Sequence, residues 1–483
     1  MVDVTVVGSG PNGLSAAVTA ARAGLSVRLL EAAPTLGGGI RTSELTLPGF
    51  MHDVCSAVHP VAMASPFFRE FGLIERIQWI VPEVSYAHPL AGGRAGIAWH
   101  DLDRTVDDLG RDGRAWRRLL APLLKRVPGV VDFTGSQLIR FPPNPLATLV
   151  YGLRALEQGS PLWNLRFRGE AAPAMLTGVS AHAAGHQPSL ATAGAGLLLA
   201  MHAHAGGWGF PVGGSQAIAD AMVADLLDHG GTVETGVMVK SLADLEPSRV
   251  TLLDTSTQLL LNADIPSRYR RALNRYRYGS GVAKVDFALS APVPWTNADV
   301  RLAPTVHLGG TRAEIAAAEN RVARGGVPTH PYVLATQPTV LDATRAPAGQ
   351  HILWAYIHVP RNSTLDATEL VTQQVERYAP GFRDVILASA SSSAQDMAAY
   401  NPNYVGGDIY SGAVNLRQLV KRPVVSPQPW RTPLDGVYLC SSATPPGPAV
   451  HGMNGWFAAT LALRDKFGIT APVPLGARGE KRA

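Results

Sequence analysis

The sequence predicts an α/β fold in which a parallel-sheet, nucleotide-binding domain is assembled from separated stretches and interrupted by an α+β domain with a helical cap. Three observations predict it. Residues 2–42 read as strand, glycine turn, helix and strand; residues 82–206 lose that rhythm; and residues 432–466 return to strand, glycine-rich loop and helix.

In the first unit, Val4, Thr5, Val6 and Val7 form a run too short for a helix and end in glycine, as a buried parallel strand does. The turn Gly8-Ser9-Gly10-Pro11-Asn12-Gly13 follows. Gly8 permits the tight turn, Gly10 lets backbone approach a pyrophosphate, and Gly13 lets the next helix pack on the strand. That helix is predicted over 11–23, with Leu14, Ala17, Val18 and Ala21 on one face, and a second strand over 25–30 ends at Glu31 and Ala32. An acid there accepts hydrogen bonds from a ribose hydroxyl, and the unpaired N–H groups at the helix start suit a pyrophosphate. Strand, turn, helix, strand and acid in this order define a Rossmann-like dinucleotide unit. A second flexible loop, Leu36 to Thr42, carries Gly37, Gly38, Gly39 and Arg41.

With 483 residues, 46% hydrophobic and 16% charged, the chain is an ordered protein of two intertwined domains. The net charge of +5 is taken as spread along the chain without a basic run, which excludes nucleic acid as a partner. Cys55 and Cys440 form no CxxC or metal-spaced pattern, so no metal site is expected and a reducing, cytoplasmic setting is. The first strand begins at Val2, leaving no room for a signal peptide before it. The apolar run 191–205 is short for a membrane span and carries His202 and His204.

Farther along, His59 closes a loop over 48–60 and either faces the ligand pocket or ends a capped turn before a helix over 65–71. Residues 82–206 are read as a mostly helical cap. Its apolar stretch 141–167 either packs on the cap's own core, covers a lipophilic pocket or rests on a membrane surface. His182 and His186 have helical spacing but no acidic or cysteine partner nearby. A Pro-Val-Gly-Gly-Ser-Gln turn at 211–216 then leads a helix with Ile218, Met222 and Leu226, followed by turn, strand, turn and strand to Val239.

The strand over 279–289 places Lys284 and Asp286 on one face, with Trp295 beyond. Strands over 332–337 and 351–359 follow, the second presenting Trp354, Tyr356 and His358 on one face. Last come a strand over 437–440, a glycine- and proline-rich loop, and a helix over 449–466 whose start, cleared by Gly452 and Gly455, makes a second anion site.

These motifs, with GSGVAKVDFALSAPVPW, NPNYVGGDIY and GVYLCSSATPPGPAVHGMNGWFAA, make the chain resemble the phytoene-desaturase-related FAD-dependent oxidoreductases. Some of these carry the label pyridine nucleotide-disulphide oxidoreductase domain protein, and all belong with the amine oxidase/phytoene desaturase superfamily. The resemblance implies FAD, with Gly8, Gly10, Pro11, Asn12, Gly13, Glu31 and Ala32 around its ADP half. It implies contacts from Gly38, Gly39, Arg41 and Thr42, although the superfamily often has arginine where this chain has Gly39. It also implies an adenine contact at Val239, and flavin contacts at Ser442, Val450, His451, Gly452 and Met453. Lys284 matches a lysine that holds water against flavin N5 in amine oxidases; the alternative is a Lys284–Asp286 pair on a solvated face.

The implied division is 1–80, 207–275 and 431–470 for the FAD domain, 81–206 for the cap, 276–430 for the substrate sheet and 471–483 for a tail. The implied activity is a dehydrogenase or desaturase transferring hydride from a C–H bond of a lipophilic or natural-product-like substrate to flavin N5, with Lys284 and His59 as catalytic candidates. Alternatives are a peroxide-producing amine oxidase and, from another class, a redox-neutral isomerase or FAD-bound scaffold. Dioxygen, a quinone or a carrier protein would accept the electrons, and peripheral membrane contact stands among the expected partners. The disulphide label finds no redox cysteine pair, and no second GxGxxG offers NADP its own domain.

Overall fold

A computed structural model describes residues 2–476. Its first sheet has five strands, all parallel, in the order Val437–Leu439, Val250–Leu253, Val4–Val7, Val27–Leu30, Thr232–Glu234. Three stretches far apart in sequence therefore build one sheet. Each strand is only three or four residues long and is flanked by polar or turn residues. Helices Pro11–Arg22 and Met453–Phe467 pack on it and on each other. They touch closely because Gly455 has no side chain: a Cβ there would overlap the Asn12 carbonyl oxygen.

The second sheet has seven strands in the order Ile386–Ser392, Gly281–Leu289, His351–Val359, Val333–Thr336, Thr305–Leu308, Val84–Pro89, Ala95–Trp99. All neighbours are antiparallel except Thr305–Leu308 and Val84–Pro89. Its long strands bury Ala283, Val285, Phe287 and Leu289 in one core. Helices Gly113–Leu124, Pro145–Gln158, Ala171–Ala181 and Leu190–Ala205 form the cap, with a core of their own.

Three expectations are corrected. Residues 82–99 are not cap but the edge hairpin of the second sheet; every residue of Val84–Pro89 is buried, so it lacks the alternation that marks a half-buried strand. Residues 237–239 form no strand: Val237 N–H donates to the Glu31 carbonyl (2.8 Å) and the ladder stops there. The last helix begins at Met453 rather than 449, because Ala449 (φ 155°) and Gly452 (φ 66°) have non-helical backbone. The tail is anchored over 471–476, where Leu475 enters the first core and Arg22 donates to the Gly476 carbonyl (2.7 Å); residues 477–483 lie outside the described ones.

The two sheets are joined at a buried ion pair. Asp53 accepts from Thr42 Oγ1 (2.8 Å), Ser215 N–H (2.8 Å) and Arg345 (2.9 Å), while Arg345 Nε also donates to the Met51 carbonyl (3.0 Å). Burial alone would push the Asp53 carboxyl up; Arg345 and the Ser215 N–H outweigh it and hold the group below the usual carboxylate range. The contribution to stability is therefore present above the unfolded carboxylate's titration and is lost as acid protonates Asp53. Arg345→Met, which strands the carboxylate, is expected to cost about 3–5 kcal/mol in urea denaturation at neutral pH, with a smaller loss in the Asp53→Asn/Arg345→Met double variant.

Candidate functional site: a dinucleotide cleft opening into an apolar chamber

A cavity of about 1420 Å³ is lined by loops of the parallel sheet, by the second sheet and by the cap. That exceeds the 300–1,000 Å³ or so of a typical small-molecule pocket and leaves room for a dinucleotide and a second molecule.

The cleft end is made where strands of the parallel sheet stop. Gly8 has φ 98°, and a Cβ at Gly10 would stand 2.6 Å from an Asp254 carboxylate oxygen. A Cβ at Gly38 would stand 2.9 Å from the Gly10 Cα, so the second glycine loop lies directly on the first. Glu31 ties them together: Oε2 accepts from Ser9 N–H (2.9 Å) and Ser9 Oγ (2.5 Å), Oε1 accepts from Ala33 N–H (2.9 Å), and Arg41 lies 3.1 Å away. Arg41 is buried, donates to the Thr35 carbonyl (3.0 Å) and to Tyr400 (2.9 Å), and is no surface arginine.

Asp254, which sequence reasoning missed, lies at the end of strand Val250–Leu253 and reaches across to the helix start. Its Oδ2 accepts from Gly13 N–H (2.9 Å), and its backbone and side chain explain why Gly8 and Gly10 tolerate no Cβ. Burial, with Glu31 nearby, pushes its carboxyl up to about 7 against the opposing Gly13 and Gly10 N–H groups. The sequence offers only an acid after an apolar strand; its place under a loop 240 residues earlier is set by the sheet order.

Most of the expected ligand-binding residues meet here. Gly8, Gly10, Pro11, Asn12, Glu31, Ala32, Gly38, Gly39, Arg41, Val239, Ser442, Val450, His451 and Met453 all reach the cavity wall. Three do not. Gly13 lies beneath the turn, Thr42 is spent on Asp53, and the Gly452 carbonyl accepts from Ser15 Oγ (2.7 Å). His451 Nδ1 accepts from Met453 N–H (3.0 Å), and burial lowers this ring to about 4.

Of the catalytic candidates, His59 is on the wall, its Nε2 2.8 Å from Ser215 Oγ. Burial lowers it to about 4 although Asp53 opposes the shift, so the ring is neutral at neutral pH and a poor proton acceptor. Lys284 is not on the wall. Its ammonium is paired with Asp286, 5.6 Å from the Trp354 ring centre, and Asp286 Oδ1 lies 3.3 Å from His52 Nδ1. That strand face is buried, not solvated as the alternative held, since His52 and Trp354 cover it. His182 meets His307 (2.8 Å), His186 does not join them, and no group of three or more His, Cys, Asp or Glu fit to hold a metal exists among the described residues.

The chamber end is walled by Leu198, Leu199, Trp208, Leu334, Trp354 and Tyr356. Buried Thr305 Oγ1, Thr336 Oγ1 and Trp354 Nε1, on residues adjacent in the sheet that line this end, have no partner within the protein. Behind the wall runs a polar chain absent from the sequence reading. Glu319, on helix Arg312–Ala323, lies 2.8 Å from His358 Nδ1; His358 Nε2 lies 3.4 Å from Tyr410 Oη; and Tyr410 and Tyr356, both on the wall, are 3.2 Å apart. The His358 ring thus links the Glu319 carboxyl to the Tyr410 hydroxyl.

Fold and cleft together define a Rossmann-like nucleotide-binding protein with a second, ligand-enclosing sheet. Residues 6–71 match the model of the NAD(P)-binding Rossmann-like domain family. The chain is 25% identical to rat pyridine nucleotide-disulfide oxidoreductase domain-containing protein 2, over 96% of this chain and 93% of that one, and 26% identical to the mouse protein over the same shares. Among solved structures, an oxidoreductase from Methanosarcina mazei (TM-score 0.60, 16% identity, 95% of this chain and 99% of that one) and a putrescine oxidase variant (TM-score 0.60, 16%, 97% and 99%) share the fold. Cyclohexylamine oxidase from Brevibacterium oxydans does so too (TM-score 0.58, 14%, 96% and 99%). The fold is thus of the amine oxidase type, and the resemblance to the pyridine nucleotide-disulphide oxidoreductase domain proteins runs the full length. Both cysteines are buried and free, so the disulphide in that name has no counterpart here.

The raised Asp254 carboxyl predicts a cleft sensitive to pH. Protonated below about 7, it ionises as pH rises and then repels a pyrophosphate. FAD binding, measured by fluorescence quenching, is expected to weaken above pH 7, approaching about tenfold per unit, and to become flat with pH in Asp254→Asn.

Proposed function

We propose that this protein is an FAD-dependent oxidoreductase, a dehydrogenase or oxidase that withdraws hydride from a C–H bond of a lipophilic substrate. The observation that carries the proposal is the continuity of the cavity, which runs from two apposed glycine loops and a helix start to an apolar, aromatic-walled chamber.

The residues present fit FAD. Only hydrogen at Gly8, Gly10 and Gly38 lets the two glycine loops pack on Asp254 and on each other, and Asn12 Oδ1 is a buried acceptor without a protein partner beside them. Residues 8–12 would hold the pyrophosphate, 237–240 the adenine, and 449–453 with the start of helix Met453–Phe467 the pyrimidine edge of the flavin. Glu31 has all its acceptor positions engaged, so a ribose hydroxyl would replace one contact, Ser9 Oγ being the most easily turned. Bound flavin supplies the hydride-accepting ring.

The chain supplies the rest. The second sheet and the cap enclose the substrate and exclude water, with Tyr356 and Tyr410 on the wall. The proton lost with the hydride passes to the Tyr356–Tyr410 pair as the Tyr410 proton moves to His358 Nε2, and Glu319 stabilises the resulting imidazolium. Lys284 and His59 act as structural groups. Aromatic walls also suit an ammonium ion, which favours the amine oxidase as the second reading; hydrogen peroxide release from an amine panel separates the two.

The purified protein is expected to be yellow and to bleach on anaerobic addition of a metabolite extract, while Gly10→Val emerges folded by circular dichroism but colourless. Full flavin occupancy in that variant would contradict the placement of the pyrophosphate. With a reducing substrate in hand, Glu319→Gln is expected to slow stopped-flow flavin reduction by about 10²-fold or more while leaving flavin occupancy intact.

A further inference from the structure

We propose that the cap face carrying helix Pro145–Gln158 docks on an anionic lipid bilayer, with the cavity mouth opening against that surface. The proposal is independent of the redox assignment.

The helix turns its large side chains the wrong way for a soluble cap. Ala147, Tyr151, Ala155 and Gln158 face the protein, whereas Leu146, Leu149, Leu153 and Leu156 are 55%, 58%, 56% and 52% exposed. At helical spacing these four leucines form one stripe, about 15 Å long at the helical rise per residue. Phe141 just before the helix (85% exposed) and Leu162 and Leu165 just after it (51% and 77%) are also exposed. Scattered exposed leucines need no explanation; four on one helix face, with three more large exposed apolar groups in the segments flanking that helix, do.

Charge identifies the occupant. Beside the stripe, Arg117, Arg118, Lys125, Arg126, Arg154 and Arg166 line a common groove, with Glu157 and Asp103 as the carboxylates paired to them. Between 111 and 168 the chain has ten Lys and Arg against three Asp and Glu, an excess larger than the +5 of the whole chain. The charge expected to be spread evenly is instead concentrated on the cap. An apolar stripe flanked by cations is the pattern of a helix lying in the headgroup region, with apolar side chains reaching about 5–10 Å inward.

Continuity with the cavity supplies the reason. Leu156, Leu190 and Leu416 are each well exposed and also line the cavity, so its mouth has an apolar rim. Thr148 and Gly152, on the same helix, line the wall as well. A lipophilic molecule would pass from bilayer to chamber along leucines without crossing water.

The test uses the full-length protein as purified, sedimented with phosphatidylcholine vesicles containing about one-third phosphatidylglycerol. Co-sedimentation is expected, weakened by high salt and by omission of phosphatidylglycerol. Leu149→Ser/Leu153→Ser, at positions off the cavity wall, is expected to bind about tenfold more weakly or worse with unchanged circular dichroism, and Arg118→Gln/Lys125→Gln to lose most of the salt dependence. Absence of vesicle binding in the wild type, or undiminished binding by the folded leucine variant, would overturn the proposal. So would self-association of the wild type that the leucine variant abolishes without any vesicle binding, which would assign the face to a second copy of the chain.

Discussion

Everything the cavity does depends on one buried carboxylate. Asp53 gathers Thr42 from the second glycine loop, Ser215 from the return of the chain to the parallel sheet, and Arg345 from the second domain. A nearby contact, Gly213 N–H to Asp342 (2.8 Å), fastens the same two segments. Burying such a pair costs desolvation that its attraction scarcely repays, so its worth lies in geometry more than in net stability. Three segments that share no secondary structure acquire one fixed point, and the glycine loops are thereby held facing the second sheet. Without that apposition there would be a nucleotide cleft and a sheet, but no chamber between them.

The same local logic explains a departure from the superfamily's pattern. A Cβ at Gly39 would lie 2.5 Å from the Tyr404 hydroxyl oxygen, so no larger residue fits there while Tyr404 keeps its place. Arg41, two residues on, turns back to Glu31 and also reaches Tyr400.

What was legible in the sequence was what is local. Strand 4–7, its glycine turn, helix 11–22 and strand 27–30 lie in one stretch and carry their own signals, as does the strand–loop–helix after 437. Hidden features share the opposite property. Asp254 matters because its strand pairs with the first one, and the chain of Glu319, His358, Tyr410 and Tyr356 comes from three elements that meet only in the folded state. That Lys284 and Asp286 share a face followed from strand periodicity; that the face is covered by His52 and Trp354 did not, because both covering residues lie far off in sequence. The edge hairpin over 84–99 was masked for a related reason, since a strand buried on both sides has no alternating pattern to show.

The cap ends with an arrangement that periodicity alone would misread. An amphipathic helix ordinarily points its leucines at the core. In helix Pro145–Gln158 the inward positions hold alanines and Tyr151, whose hydroxyl donates to the Gly194 carbonyl (2.8 Å) on the neighbouring helix Leu190–Ala205. Small inward residues let the two helices approach closely, and Gly194 itself leaves only 3.1 Å between a would-be Cβ and that hydroxyl. The leucines stand on the opposite face, where water penalises them unless something apolar covers them. Close packing of the cap helices and an apolar outer surface thus arise from the same choice of residues.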